Sequence, residues 1–143
     1  MFKQFKLEQS LALAAIVLCA GAQAQVVVIV NLKSSNATMT ADQVSGIFLG
    51  KSNTLPSGAT AQPVDLPDAQ PAREAFYSKV TGKSGSQVKA AWSRLVFSGK
   101  ATPPKELAND AEVKKFVAAN PDAVGYIDKS AVDATVKVIL SAD

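Results

Sequence analysis

The chain has no histidine, and its one cysteine, Cys19, falls among the first 24 of 143 residues. Those absences remove the usual side chains of nucleophilic and metal chemistry. From residue 25 onward no Ser-His-Asp or Cys-His set, and no imidazole- or thiolate-held zinc, can be assembled. No disulfide can form there either, so the fold must rest on packing alone. A concentrated charge of one sign is also missing. The 15 basic and 12 acidic residues are interleaved, and no run of Lys or Arg reaches three. Despite a sequence pI near 9.0, this excludes the dense basic footprint of a nucleic-acid binder. Beyond residue 24 no apolar stretch is long enough to cross a bilayer as a helix. Carboxylate pairs remain, Asp65 with Asp68 and Asp128 with Asp133, but their spacing fits neither a calcium loop nor a glycosidase pair. They are expected on a solvated surface. This inventory points away from an enzyme, and it calls for no cofactor and no metal.

The first 24 residues read as an address. Lys3 and Lys6 give a positive start, Leu11 to Leu18 a short apolar run, and Ala22-Gln23-Ala24 a small-x-small cleavage site. Cleavage after Ala24 would release a chain beginning at Gln25 into the periplasm. Leu18, immediately before Cys19, is bulky where lipoprotein processing wants a small residue, which disfavours a lipid anchor. Residues 25 to 143 suit one domain with one core. They carry 13 basic and 11 acidic side chains, a net charge of +2.

Val26 to Val30 is a β-branched run apolar on both faces, the pattern of a strand in the middle of a covered sheet. Thr40 with Gln43 forms a capping box, Val44, Ile47 and Phe48 keep helical spacing, and Gly50 stands where a left-handed stop is wanted, so 40 to 49 is a helix. A polar loop, 52 to 60, leads to a strand over 61 to 66, whose Pro63 argues for a sheet edge or an irregular start. Pro71 suits a first helical turn. Ala72, Ala75, Phe76 and Val80 form the stripe of that helix and Gly82 ends it. Ser84 to Gln87 opens a third helix along Val88, Ala91, Trp92, Leu95 and Val96. Trp92, on this stripe, is read as core rather than as a ligand platform. Pro103-Pro104 is a stiff connector. Asn109 with Glu112 opens a fourth helix that Asn120-Pro121 closes. Ala123 to Ile127 and Val136 to Leu140 are strands. The order predicts an α/β three-layer sandwich with a mostly parallel sheet, its antiparallel strand supplied at an edge by the C-terminal run.

Met39 to Val44, Ile47-Phe48-Leu49-Gly50-Lys51, Pro63-Val64-Asp65, Arg73 to Phe76 and Asn120-Pro121-Asp122-Ala123-Val124-Gly125-Tyr126-Ile127 stand in one order along the chain. In that order they resemble the substrate-binding proteins of phosphate ABC transporters, and in particular a short branch the size of one lobe of a type 2 periplasmic binding protein. The resemblance implies a PBP-like domain over 25 to 143, phosphate or a related oxyanion as ligand, and an ABC permease as partner. In relatives a second-lobe arginine precedes a Ser-Gly-Thr at a helix start, where free N–H groups and the dipole favour an anion. The matching positions here read Gln70-Pro71-Ala72 followed by Arg73, with Asp65-Leu66 where the arginine would fall.

The anion-binding candidates are therefore Gln70 and Arg73, together with Ser34, Ser35 and Asn36 after the first strand, at a sheet end where open α/β folds hold ligands. Each has a plainer reading. Arg73 can pair with Glu74 or Asp68, and Ser34 to Asn36 can be a polar turn. Lys51 and Ser52 complement a helix end, and Gly125 and Tyr126 have packing roles in a strand. Two functions stay open: solute binding for transport, or a periplasmic interaction or assembly module that kept the fold and lost the ligand.

Overall fold

The computed structural model describes residues 25 to 142 except Ala37; the expected signal peptide and Cys19 lie outside the described residues. Five strands form one sheet in the order β3-β2-β4-β1-β5. Strand β1 is Val26–Asn31, β2 Gln62–Asp65, β3 Lys105–Glu106, β4 Ala123–Asp128 and β5 Val136–Ala142. Strand β1, apolar from Val26 to Val30 and closed by Asn31, is buried along its whole length, as a strand covered on both faces must be.

Four of the five strands run the same way. Strand β2 is parallel to β3 and to β4, while β1 is antiparallel to β4 on one side and to β5 on the other. The antiparallel member is thus β1, inside the sheet, and not the C-terminal strand at its edge. The reason is the connection after Val26–Asn31: the next two strands pair elsewhere, and β4 and β5 arrive later to flank β1. The register of β1 with β5 shifts between Val28 and Ile29, which leaves Ile139 as an extra residue on β5. Such a bulge breaks strict alternation. Burial along β5 accordingly falls on Val136, Ile139 and Ala142, every third residue.

Of the two readings of Pro63, an edge strand or an irregular start, the structure has the second. The short β3, directly after Pro103-Pro104 and not expected from sequence as a strand, pairs with Val64 and Asp65 and covers β2 beyond the proline. Pro63 faces β4 alone, opposite Val124, so the missing donor falls before the second ladder begins.

The helices are α1 Ala41–Phe48, α2 Pro71–Phe76 with a π turn over Tyr77–Thr81, α3 Gly85–Phe97 and α4 Asp110–Ala119. Thr40 and Ser84 both make complete capping boxes, with Gln43 and Gln87 answering from the third position. The Asn109 side chain accepts from Glu112 N at the start of α4, and Asn120 is extended at its end, the conformation that Pro121 imposes on its predecessor.

The faces of β4 sort the layers. A Cβ at Gly125 would lie 2.7 Å from Val113 and 3.3 Å from Val117, both on α4. The next residue, Tyr126, points to the other face, where its ring stacks on Phe76 at 4.0 Å and meets Phe48 edge-on at 5.9 Å. So α4 covers one face and α1 with α2 the other, giving the three-layer α/β sandwich. Helix α3 joins the second layer through Trp92, whose indole N–H donates to Phe48 O at 2.7 Å.

Candidate functional site

The polar centre of the molecule lies where β2 ends. Asp65 is the last residue of that strand and only 7 % exposed, so its expected place on a solvated surface is corrected. Burying a lone carboxylate is costly, and the chain surrounds this one with donors. Arg73 Nη1 approaches Asp65 Oδ2 at 2.6 Å and Tyr77 donates to the same oxygen at 2.6 Å. The Tyr126 hydroxyl and the Leu66 amide, at 2.8 Å, donate to Oδ1. Local structure sets this up: Arg73 and Tyr77 stand four apart, one helical turn, so both reach back over the strand end. Tyr126 comes from the neighbouring strand β4, on the face toward α2.

The electrostatics follow from that burial. Desolvation works against the Arg73 cation, but the charge of Asp65 outweighs it and holds the guanidinium above its ordinary pKa. Burial first, and the Asp65 charge second, push both phenols well above the usual tyrosine value. Two neutral hydroxyls therefore remain donors to a fixed carboxylate. Arg73 also donates to Leu66 O at 3.2 Å, and its Nε lies 3.1 Å from Asp68 Oδ1 without the alignment of a hydrogen bond. Asp68 is exposed and pairs with Lys89 at 3.0 Å; the hydrogen bond and charge of Lys89, then the charge of Arg73, lower its pKa.

The five sequence candidates do not come together. Arg73 is enclosed by Asp65 and Asp68, the plainer reading of it, with Asp65 as an additional partner. Gln70 N-caps α2 with its backbone alone, and its side chain donates to Ala108 O at 3.4 Å. Ser34, Ser35 and Asn36 follow β1, and the register sends them to the other end of the sheet. Val30 pairs with Val124 and Gln62 with Ala123, so β1 leaves the sheet where β2 and β4 begin. There the Asn36 side chain donates to Ser34 Oγ at 2.9 Å and accepts from Ser57 N at 3.0 Å, while Lys137 Nζ donates to Ser34 O at 2.8 Å. The Ser34 to Asn36 turn thus ties down the loop over 52 to 60.

A shallow hollow of about 220 Å³ at the start of α2 is lined by Asp68, Arg73, Glu74, Gly85, Ser86 and Lys89. Its two acids balance its two bases, and Glu74 is occupied in accepting from Gly85 N at 3.0 Å. Among the described residues no cluster of three or more carboxylates, imidazoles or thiols could hold a metal ion. The residues that sequence reading left out are Tyr77 and Tyr126 as partners of Asp65. The available signal was the Arg73 to Tyr77 spacing beside a strand ending in an acid; the contribution of Tyr126, 61 residues away, carries no local mark.

No family model matches the sequence, and no curated protein matches it. Solved structures do. A Clostridium perfringens protein described as a phosphate ABC transporter substrate-binding protein, solved with bound phosphate, is similar at a TM-score of 0.66. The identity is 21 %, over 80 % of this chain and 44 % of that one. An ABC-type phosphate transport receptor of Vibrio cholerae follows at 0.64 and 20 %, over 80 % and 45 %. A PstS protein of Borrelia burgdorferi stands at 0.61 and 10 %, over 80 % and 46 %. The chain has the fold of one lobe of a PBP-like protein. It spans less than half the length of the structures it matches.

Proposed function

We propose that this chain is an extracytoplasmic solute-binding-protein-like domain, exported by residues 1 to 24, whose α2 start is not a seat for free phosphate. The fold it shares with phosphate receptors supports the first half. One observation carries the second: Arg73, the cation that the sequence resemblance offered at this helix start, already has a carboxylate 2.6 Å away. A phosphate dianion entering there would meet Asp65 and Asp68 before it met an uncompensated positive charge, and like charges in a partly desolvated site repel by several kcal/mol. Pro71 removes one N–H from the helix start, and α2 has only six residues before its π turn.

Within this reading the solute is an anion other than phosphate, and an ABC permease is the natural partner. Calorimetric titration with phosphate and sulfate tests it. No saturable heat is expected from either at millimolar concentration. Micromolar phosphate affinity, abolished by Arg73→Ala, would overturn the reading and restore a phosphate carrier.

A second reading, an interaction or assembly module, has its own support on α3. Phe97 is 96 % exposed and Val96 49 %, beside an apolar groove of about 390 Å³. Large apolar side chains left bare together mark contact surfaces. Capture of one periplasmic protein by the wild type but not by Phe97→Ser would favour it, with solute titrations flat.

A further inference from the structure

A hollow of about 600 Å³, sharing Trp92 with the Phe97 groove, lies between the end of α1, the 52 to 61 loop and the residues after α3. Its volume falls within the roughly 300–1,000 Å³ of small-molecule sites. Its wall has two characters. Ile47, Pro63 and Trp92 supply an apolar floor, while Lys51, Lys100 and the Asn53 side chain stand on the rim. No carboxylate lines it. Neither lysine makes an ion pair or a side-chain hydrogen bond among the described residues. By contrast Lys89, Lys114 and Lys137 are taken by Asp68, Asp133 and Ser34 O.

The rim is built before any ligand arrives. Lys51 N and Ser52 N both donate to Gly46 O, at 2.9 and 3.1 Å, and Lys100 N donates to Leu95 O at 3.1 Å. The loop is closed as a small hairpin by Leu55 N to Ala59 O and Ala61 N to Asn53 O, each 2.8 Å, and by a bridge between Thr54 and Thr60. Ser57 is held in turn by Asn36. Gly50 lets the backbone pass against the indole: a Cβ there would sit 3.0 Å from the Trp92 ring. Two fixed positive rim positions over a flat apolar floor, with no acid to neutralise them, form a concave field that concentrates anions.

We propose that this hollow binds a small organic carboxylate with a flat or branched apolar body, the carboxylate between Lys51 and Lys100 and the body over Trp92. The inference rests on the solute-binding reading and names the solute's class and place. Inorganic phosphate fits poorly, because half of the wall would gain nothing from it. A neutral analogue of the same shape would leave both lysines unanswered.

Trp92 is the only tryptophan in the chain, so its emission reports this wall directly. The test is a titration of the protein with phenylacetate, 2-phenylethanol and inorganic phosphate, followed by fluorescence and, in parallel, by calorimetry. Phenylacetate is expected to give a saturable emission change, with 2-phenylethanol at least about tenfold weaker, as losing two partly screened charge contacts implies. Lys51→Gln with Lys100→Gln should weaken phenylacetate by about the same factor, while Lys89→Gln, which is not in the lining of this hollow, should leave it unchanged. Equal affinity for the alcohol, or indifference to the double substitution, overturns the proposal. Calorimetric binding of phenylacetate or phosphate with no Trp92 response overturns this site but leaves a solute-binding domain. No heat and no emission change with any of the three overturns it too, and counts against the solute-binding reading itself.

Discussion

Replacing Asp65 by Asn removes one charge and one acceptor from the centre of the molecule while keeping the shape of the side chain. The carboxylate now accepts from four groups: Leu66 N and Tyr126 on one oxygen, Arg73 and Tyr77 on the other. Asparagine can keep the first oxygen. At the second it presents an N–H₂, which opposes the guanidinium and reverses the bond with Tyr77. Arg73, only 8 % exposed, keeps the Leu66 carbonyl and, as its remaining carboxylate, Asp68, whose side chain is 65 % exposed and shared with Lys89. Breaking a buried pair from one side costs about 3–5 kcal/mol, because the remaining charge stays buried. The loss should appear as a lower urea midpoint with an unchanged slope. Arg73→Met alone should cost a similar amount. The double substitution should fall short of the sum by about 1–3 kcal/mol, since neither charge is then left behind. A cost below about 1 kcal/mol for Asp65→Asn, or additivity within about 0.5 kcal/mol, would refute the network as a holder of the fold.

Three further outcomes are expected. Gly125→Ala should destabilise by about 1–3 kcal/mol through overpacking, because its Cβ would lie 2.7 Å from Val113 Cγ1 and 3.0 Å from Val64 Cγ2; Val113→Ala in the same chain should recover part of the loss in thermal unfolding. Gly50→Ala should cost about 1–3 kcal/mol as well, combining a φ of +76° with a Cβ 2.6 Å from Leu95 Cδ1, and denaturant melts followed by Trp92 emission will show it. Both tyrosines of the chain have pKa values raised by burial, so the native state holds phenolic protons that the unfolded state releases near pH 10; stability is intact below that pH and declines above it. Absorbance at 295 nm should show no tyrosinate until circular dichroism shows unfolding, and a smooth titration in the folded protein near pH 10 would contradict the burial of both hydroxyls.

Local signals carried far in this chain. The capping boxes at Thr40 and Ser84, the stop at Gly50 and the break at Asn120-Pro121 each depend on residues within one turn, and all are present as their spacing implies. What escaped was pairing at a distance. Strand β3 is two exposed residues, Lys105 and Glu106, with no apolar alternation, and it exists because β2 offers an open ladder beyond Pro63. The placement of β1 between β4 and β5 depends on partners about 100 residues later, and the bulge at Ile139 is invisible until the register of that pairing is known.

The same division explains the candidate site. Arg73 near a helix start looks like an anion donor when only its own neighbours are read, because residue type and spacing are identical for an arginine that waits for a ligand and one that has a partner. What separates the two is Asp65, eight residues earlier, and the hydroxyls of Tyr77 and Tyr126 that complete its shell. A phosphate can gain the guanidinium only by displacing a carboxylate held by four donors, and the displaced charge would stay beside it in the same small space. An acid at the end of β2 therefore does more than omit a phosphate contact. It turns Arg73 into a strut between strand and helix, so that the architecture is kept while the guanidinium is already spoken for.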